Sequence, residues 1–262
     1  MLFSSFNIIG KNIGPYDRYK KIIYSQHGEE GIIEFLLKKI LKRLNNLYVC
    51  EFGAWDGVHL SNTFYFVKKY KAKALYIEKS KEKFADLLQT TFQYPSITPI
   101  NAHISKYYNS KYSLDCLLKK HMNKISFDVL SIDVDSYDLD IWENLLNFFP
   151  KIVVIEINSE LGKNIKQRHG EKNGRGSSFL STIEVAKKKN YQLISHIGNC
   201  IFIRKDLLKK INFSKKFIKN PHFLYNDHWI RVNKILYYFE FVVNFFLKKI
   251  IVRLSSIRTK SY

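Results

Sequence analysis

Residues 48–57 read YVCEFGAWDG, an apolar run followed by a segment with glycines at positions 53 and 57. The run Tyr48–Phe52 is typical of a buried strand. The two glycines permit a tight turn and a close approach of the backbone to a ligand. No G-x-G-x-x-G fingerprint and no phosphate-loop lysine is present, which disfavours NAD and ATP sites. The segment predicts a ligand-binding turn at the end of the first strand; a turn that serves only the fold is the alternative.

Strand and helix patterns alternate five times around this segment, and a short hairpin with its turn at Gly198-Asn199 ends the series. Alternation predicts a parallel sheet with helices on both faces. The hairpin places one antiparallel strand near the edge of that sheet. The predicted strands are 48–52, 74–78, 96–102, 127–134, 151–158, 191–197 and 200–204, and the main predicted helices are 28–44, 63–70, 113–122, 139–147 and 180–189.

A chain of 262 residues with 46% hydrophobic residues is long and apolar enough for one large domain with an appendage. We expect a lead-in over 1–24, an α/β domain over 25–212 and a helical tail over 213–262. The three cysteines form no C-x-x-C pair, which favours reduced thiols in a cytoplasmic protein. No signal peptide is expected. The most apolar stretch, 235–247, is shorter than the ~20 residues of a membrane-spanning helix.

The formal net charge is +20, and more than half of it lies in residues 200–262, which hold 14 Lys or Arg and three Asp or Glu. Such a segment suits an anionic membrane surface, a nucleic acid or an anionic glycan. Residues 229–254 are also rich in aromatic side chains, which need an apolar surface to shield them from water. The segment is interpreted as a peripheral membrane contact, a homodimer contact, or a helix packed on its own domain.

Polar side chains end the second and third predicted strands. Glu78 closes the second strand, where a carboxylate can accept hydrogen bonds from both hydroxyls of a ribose. The alternative is a surface glutamate beside Lys79. Asn101 and Ala102 end the third strand, and from there an amide and a small residue can face an adenine. Two such features on successive strands favour a nucleoside site.

Acidic and amide side chains follow the fourth and fifth strands. Asp133 and Asp135 are two apart, as are Glu156 and Asn158, so each pair leaves one face of a strand. On neighbouring strands, about 4.8 Å apart, the four converge at the carboxyl edge. Clustered carboxylates need a cation, a lysine or protonation, and Mg²⁺ or Ca²⁺ suits them. Without a metal, Asp133 contacts the cofactor, while Asp135 and Glu156 orient substrate hydroxyls or act as base.

Taken together, these motifs resemble the class I S-adenosylmethionine-dependent methyltransferases, and within them the FkbM-type enzymes. The resemblance spans about residues 24–207. It implies a Rossmann-like seven-stranded sheet of order 3-2-1-4-5-7-6, last strand antiparallel, with helices on both faces; a C-terminal helical extension follows. The stretches that carry it are YSQHGEEG, EFGAWDGVHLSNT, LSIDVDSYDLDIWENL, PKIVVIEIN and HIGNCIFIRKDL.

The family's residue roles transfer to matching positions. The resemblance implies that Glu78 holds the ribose diol, that Asn101 and Ala102 lie near the adenine, and that Gln26 belongs to a segment closing over S-adenosylmethionine. Metal-dependent O-methyltransferases place an Asp after strand four and an Asp-Asn pair after strand five. This resemblance implies that Asp133, Glu156 and Asn158 are the corresponding Mg²⁺ ligands here, although Glu156 and Asn158 are separated by one residue and so depart from the adjacent pair of that family. The methionine and ribose portions of the cofactor would contact Glu51, Gly53, Ala54 and Gly57, and Asp133 would also contact the cofactor.

We therefore expect an O-methyltransferase acting on a sugar, nucleotide-sugar or surface-polysaccharide precursor. The expected catalytic residues are Asp133, Asp135, His59 and His196, with His27 and His169 as further candidate bases, because a histidine titrates near neutral pH. The basic loop 162–178 favours an anionic acceptor; a solvated, mobile surface loop is the alternative. The alternatives are a nucleic-acid methyltransferase, although no NPPY- or DPPY-like tetrad follows strand four, and a non-catalytic protein whose tail docks on a membrane or partner. We expect a cytoplasmic protein, peripheral to the inner face of the membrane if its tail binds lipid.

Overall fold

The structure, a computed structural model, describes residues 13–122, 127–228 and Ile230. Within these residues there are seven strands and seven α-helices, which alternate along the chain except at the hairpin of the last two strands, and short 3-10 turns lie between some of them. The strands are β1 Tyr48–Phe52, β2 Lys73–Glu78, β3 Ile97–Asn101, β4 Val129–Ile132, β5 Ile152–Ile155, β6 Tyr191–His196 and β7 Cys200–Arg204. The helices are α1 Glu29–Ile40, α2 Phe64–Tyr70, α3 Lys81–Gln93, α4 Leu114–His121, α5 Asp138–Glu143, α6 Phe179–Lys188 and α7 Lys215–Lys219.

The seven strands form one sheet of order β3-β2-β1-β4-β5-β7-β6. β1 to β5 pair in parallel, and β7 is antiparallel to both β5 and β6. This confirms the predicted order and the reversed strand. Every residue of β4 and β5 is buried, because helices cover both faces of a parallel sheet. The chain runs from β1 to one side and from β4 to the other, so β1 and β4 form the switch point at which such sheets bind ligands.

Several predicted elements have different ends. α1 stops at Ile40 rather than at position 44, and β4 stops at Ile132 rather than at 134. β5 ends at Ile155, three residues before the predicted end. Serines cap four helices, as their side-chain chemistry favours. Ser80, Ser113, Ser178 and Ser214 each accept a backbone N–H from the first turn of α3, α4, α6 and α7 respectively.

The packed domain extends beyond both expected boundaries. In the lead-in, Asp17 is buried and its Oδ1 accepts a hydrogen bond from Ser195 Oγ at 2.6 Å. After position 212, Phe213, Leu224 and Asn226 are buried. The expected domain end at 212 therefore falls inside the packed structure. The aromatic and basic part of the tail, 229–254, lies outside the described residues apart from Ile230.

The carboxylate of Glu30, in the first turn of α1, fixes the segment that leads into the domain. Its Oε1 accepts backbone N–H groups from Ile23, Tyr24 and Ser25 at 2.9, 2.6 and 3.1 Å. The Ser25 hydroxyl donates to the other oxygen of this carboxylate, Oε2. A short parallel bridge joins Ser25 to Leu60, beside the β1 turn. These contacts hold residue 26 next to the carboxyl edge of the sheet.

Candidate functional site

A cavity of about 440 Å³ opens at the carboxyl ends of the parallel strands, at the β1–β4 switch point. Its wall comes from the segments that follow β1, β2, β3, β4 and β5, together with residue 26 of the lead-in. Cavities of this size suit a small ligand. The structure brings together in this lining ten residues that the sequence singled out: Gln26, Glu51, Gly53, Ala54, His59, Glu78, Ala102, Asp133, Asp135 and Glu156.

The turn after β1 depends on Gly53. Its φ is +76°, in the left-handed region, and an added Cβ would lie 1.5 Å from the carbonyl oxygen of Asp133. Only glycine permits this approach of the β1 and β4 ends without displacing the backbone. The same turn gives Trp55 a φ of +50° and leaves its ring 39% exposed in the cavity wall.

Glu78 faces the cavity at the end of β2 and is 4% exposed. Its Oε2 accepts the backbone N–H of Trp55 at 3.0 Å, and its Oε1 accepts that of Ser80 at 2.8 Å. Each carboxylate oxygen has two acceptor positions. The side chain is therefore held in place with acceptor capacity left for hydroxyl groups of a ligand.

Glu51 has a different role from Glu78 although both line the cavity. Its carboxylate accepts hydrogen bonds from Ser61 Oγ at 2.7 Å, from the backbone N–H of Asn62 at 3.1 Å and from Thr63 Oγ1 at 2.5 Å. Burial raises its pKa, and these hydrogen bonds lower it. Glu51 thus fixes the segment before α2, and that segment forms part of the cavity wall.

Asp133, Asp135 and Glu156 form a carboxylate cluster at the cavity. One oxygen from each lies within 4.8 Å of the other two. The sheet pattern continues past the strand ends, with Asp133 N donating to Phe52 O at 3.2 Å and Glu156 N donating to Ile132 O at 3.0 Å. Asp135 has a φ of +57°. The convergence of these residues therefore comes from the turn after β4, rather than from two positions on one strand face.

The electrostatics of this cluster favour a bound proton. Burial raises the pKa of Asp133, and the negative charges of Glu156 and Asp138 raise it further. Burial also raises the pKa of Glu156. The negative charges of Asp138 and Asp135 raise it further, whereas a hydrogen bond with Asp133 lowers it. We assign the shared proton to Asp133, which donates it to Glu156. Like charges this close are relieved either by such a proton or by a cation.

Asp138 shapes the turn that carries the cluster. Its two carboxylate oxygens accept the backbone N–H groups of Val134 at 2.7 Å and Ser136 at 2.9 Å. It is 4% exposed, and burial raises its pKa while these two hydrogen bonds lower it. No sequence pattern singled out Asp138, because its carboxylate binds backbone N–H groups of the turn before the helix that it begins.

Asn158 does not join the carboxylate cluster, contrary to the expected Mg²⁺ ligand set. Its Nδ2 donates to the carbonyl oxygen of Arg175 at 2.9 Å, and its Oδ1 accepts the backbone N–H of Glu160 at 3.0 Å. Because β5 ends at Ile155, strand alternation no longer directs the side chain at position 158. Asn158 instead stabilises loop 162–178, and Asp135 takes its place in the cluster.

His196 is the clearest correction among the expected catalytic residues. It is 1% exposed and is absent from the cavity lining. Its Nδ1 accepts the backbone N–H of Asn226 at 3.0 Å, so the proton of the neutral ring is on Nε2, which lies 2.9 Å from Ser159 Oγ. Burial lowers its pKa to about 3. His196 therefore joins the segment after α7 to the loop after β5.

Gly57 and Asn101 also lie outside the cavity lining. Gly57 has a φ of +80°, and an added Cβ would lie 2.7 Å from Leu87 Cδ1, so it allows the turn to pack on α3. Asn101 is exposed, and its Nδ2 donates to the carbonyl oxygen of Glu78 at 2.8 Å. It ties the end of β3 to β2. Of the pair expected near an adenine, only Ala102 reaches the cavity.

The other candidate histidines differ in their surroundings. His59 is exposed in the lining and meets the ring of Trp55 edge-on, with 5.1 Å between ring centres. His169 lies edge-on to Tyr137 at 4.6 Å, and its Nδ1 accepts the backbone N–H of Gly176 at 3.1 Å. Burial lowers the pKa of His27. Among the described histidines, His59 and His103 are the ones in the lining.

Loop 162–178 carries less free positive charge than its sequence indicated. Arg168 donates to Asp140 at 2.9 Å and to Glu143 at 2.5 Å, which fastens the loop to α5. Lys166 lies 2.6 Å from Glu184 of α6. These two cations stabilise the loop, so they are not free to bind an acceptor.

Basic and aromatic side chains that the sequence analysis did not select complete the mouth of the cavity. Lys83 Nζ lies 4.3 Å from the ring centre of Trp55, and Lys106 Nζ lies 3.7 Å from that of Tyr137. Such cation–π contacts order a lysine while leaving its charge uncompensated. No local sequence signal reveals them, because the Lys106–Tyr137 contact joins two different loops. The mouth residues of this kind are Trp55, Lys79, Lys83, Lys106, Tyr107 and Tyr137.

In the part of the chain that the structure describes, no helix has the length and apolar character needed to cross a membrane.

No protein-family model matches this sequence, and no curated protein matches it. Solved structures do match, at low identity. A SAM-dependent methyltransferase from Aquifex aeolicus is 13% identical, with 65% of this chain and 87% of that chain covered and a TM-score of 0.41. The [4+2]-cyclase SpnF is 9% identical, with 68% and 65% covered and a TM-score of 0.43. The citrinin polyketide synthase CMeT domain is 10% identical, with 67% and 51% covered and a TM-score of 0.44, so the match spans about half of that structure.

Proposed function

We propose that this protein is an S-adenosylmethionine-dependent O-methyltransferase of the FkbM type, and that its acceptor is a hydroxyl group of a sugar or polysaccharide precursor. The observation that carries the proposal is the joint placement of Glu78 and the Asp133–Glu156 pair in one cavity at the switch point of the sheet. One carboxylate suits a ribose, and the other two suit a hydroxyl that must lose a proton.

The cavity residues fit the methyl donor. Ile77, Ala102 and Ile104 supply an apolar wall for a nucleoside base, and Glu78 supplies acceptors for ribose hydroxyls. The bare backbone at Gly53 allows close approach of the rest of the molecule. S-adenosylmethionine, when bound, supplies a methyl group activated by a positively charged sulfur.

The chain's own contribution to transfer is to orient the acceptor hydroxyl and to take its proton. Asp133 and Glu156 share one proton and so retain one negative charge with which to accept another. Their raised pKa values bring the pair closer to neutral pH, where a general base is most effective. Asp135, exposed at the same cluster, is available to accept a hydrogen bond from a neighbouring hydroxyl.

A divalent cation is the second way to relieve the cluster. The residues that would hold Mg²⁺ are Asp133, Asp135 and Glu156, each through one carboxylate oxygen. Carboxylates are the ligands this ion prefers, and it would acidify a bound hydroxyl. Turnover that is abolished by EDTA and restored by Mg²⁺ would support this version, whereas turnover unaffected by EDTA would leave the shared proton as the working state.

Turnover provides the test of the proposed function. Purified protein is incubated with S-adenosylmethionine labelled in its methyl group and a panel of sugars, sugar phosphates and nucleotide-sugars, and labelled product is separated. Asp133→Asn is expected to abolish labelling, whereas the matched control Asp86→Asn, on the exposed side of α3, is expected to retain it. Labelling of RNA instead of a sugar, or equal activity in the two variants, would contradict the proposal.

The proposed cellular location and contacts rest on the cysteines and on the composition of the C-terminal segment. Cys50, Cys116 and Cys200 are all free thiols, which supports a reducing compartment such as the cytoplasm. A peripheral membrane contact or a homodimer contact through 229–254 remains a separate proposal, supported by the aromatic and basic composition of that segment.

A further inference from the structure

Three lysines lie in the wall of the proposed methyl-transfer site. Lys79, Lys83 and Lys106 all contribute to the cavity lining. Among the described residues, no carboxylate oxygen lies within 4.0 Å of any of their ammonium groups. The cavity lining thus holds three cations with no carboxylate close to them, in addition to the acidic cluster at Asp133.

Lys106 is the lysine with the most defined position. Its ammonium group lies 3.7 Å from the ring centre of Tyr137, two residues after Asp135 of the carboxylate cluster. Asn144 Nδ2 of the segment after α5 donates to the carbonyl oxygen of Lys106 at 2.7 Å and so fixes its backbone. The residue is half-buried. An ordered, uncompensated cation therefore lines the same cavity as the pair that is proposed to receive the acceptor hydroxyl.

The proposed methyl donor does not account for these cations. S-adenosylmethionine carries no phosphate, and its sulfonium and ammonium charges outweigh its one carboxylate. The donor therefore offers the three lysines no anionic group other than that carboxylate, while the acidic side chains of the lining face its positive charges. The cluster of carboxylates suits a neutral hydroxyl. An anionic group on the acceptor, away from that hydroxyl, is the partner that these lysines lack among the described residues.

We propose that the acceptor is a phosphate-bearing sugar, and that Lys106 binds its phosphate while the Asp133–Glu156 pair receives the hydroxyl that is methylated. This inference rests on the proposed function and adds the chemical class of the acceptor. Phosphate is favoured because it is a dianion near neutral pH and lysines line the mouth on both the Trp55 side and the Tyr137 side. The exposed ring of Tyr107, at 63%, offers a face for a sugar or a base.

Calorimetry on the full chain saturated with S-adenosylhomocysteine tests this inference. The probes are inorganic pyrophosphate, glucose 1-phosphate and glucose. Both anions are expected to bind and glucose to bind more weakly by about tenfold or more, because a charged hydrogen bond is lost. Tighter binding of pyrophosphate than of glucose 1-phosphate indicates a nucleotide-diphosphate sugar, and the reverse order indicates a simple sugar phosphate.

Lys106→Met keeps the aliphatic stem and removes the charge. The control Lys119→Met makes the same change at an exposed position of α4. Anion affinity is expected to fall about tenfold in Lys106→Met, to stay within about twofold in Lys119→Met, and to recover in Lys106→Arg. Equal anion affinity in the two methionine variants, or no preference for anions over glucose, would overturn the inference. Failure of S-adenosylhomocysteine to bind the unaltered chain would instead overturn the proposed function.

Discussion

Asp133→Asn is expected to change the pH dependence of stability as well as activity. In the unfolded chain an aspartate loses its proton near pH 4, whereas the folded cluster retains a proton because burial and neighbouring charges raise the pKa of Asp133. The folded state therefore binds more protons than the unfolded state above that pH. Stability falls as pH rises through this window and levels off above the raised pKa.

The geometry sets the size of the effect. Two ionised carboxylates 4.8 Å apart, the upper separation in the cluster, repel by about 3.5 kcal/mol at an effective dielectric constant of about 20. One extra proton on the folded state gives a slope of about 1.4 kcal/mol per pH unit. Between pH 5.5 and 7.5 the unaltered chain should therefore lose about 2–3 kcal/mol of its free energy of unfolding through this cluster.

Urea unfolding at pH 5.5, 6.5, 7.5 and 8.5 measures this slope. Asp133→Asn removes the ionisable group, so its curve should be flatter, and the variant should be more stable than the unaltered chain at pH 7.5 and above. Asp86→Asn makes the same change in charge at an exposed position and should leave the slope unaltered. Parallel pH curves for the unaltered chain and Asp133→Asn would refute the account of a shared proton.

Two further substitutions test the scaffold of the site. Gly53→Ala places a Cβ 1.5 Å from Asp133 O at a positive φ, so we expect urea unfolding to show a free energy of unfolding lower by about 2–4 kcal/mol. The control Gly162→Ala, with its nearest neighbour 3.9 Å away, should lower it by under about 1 kcal/mol. Similar losses in the two variants would argue against a required close approach of Gly53 and Asp133. Glu30→Ala removes the acceptor of three backbone N–H groups, one in a buried and two in partly buried hydrogen bonds, and should lower the free energy of unfolding by about 1–3 kcal/mol. The exposed control Glu82→Ala should change it by nearly zero; equal values would show that Glu30 does not hold the lead-in.

Local patterns in the sequence were sufficient to predict the positions of the strands and the direction of the last one. The apolar run Tyr48–Phe52 matches β1 residue for residue, and the turn at Gly198-Asn199 places β7 antiparallel to β6. These signals are reliable because hydrophobic periodicity and turn chemistry act within a few residues. The strand order came from the resemblance to the class I methyltransferases rather than from these local signals, and the structure has that order.

The site was predicted less completely because its side chains leave the ends of strands. Alternation placed Asp133 and Asp135 together, yet β4 ends before both, and the left-handed backbone at Asp135 supplies the convergence. The same rule misplaced Asn158, which bonds within its own loop. His196 was a candidate base because a histidine titrates near neutral pH, but it is buried and does not line the cavity. Lys106 and Tyr137 meet only through tertiary packing, which no local pattern encodes.

Binding of S-adenosylhomocysteine, followed by titration calorimetry, addresses the nucleoside site most directly. The unaltered chain should bind one molecule, and Glu78→Ala should weaken binding by about 10- to 150-fold, the equivalent of about 1.5–3 kcal/mol for hydrogen bonds to a charged group. Glu82→Ala, four residues along and exposed, should bind as the unaltered chain does. No detectable heat with the unaltered chain, or equal affinity in the two variants, would contradict a ribose-binding role for Glu78 and the methyl-transfer function built on it.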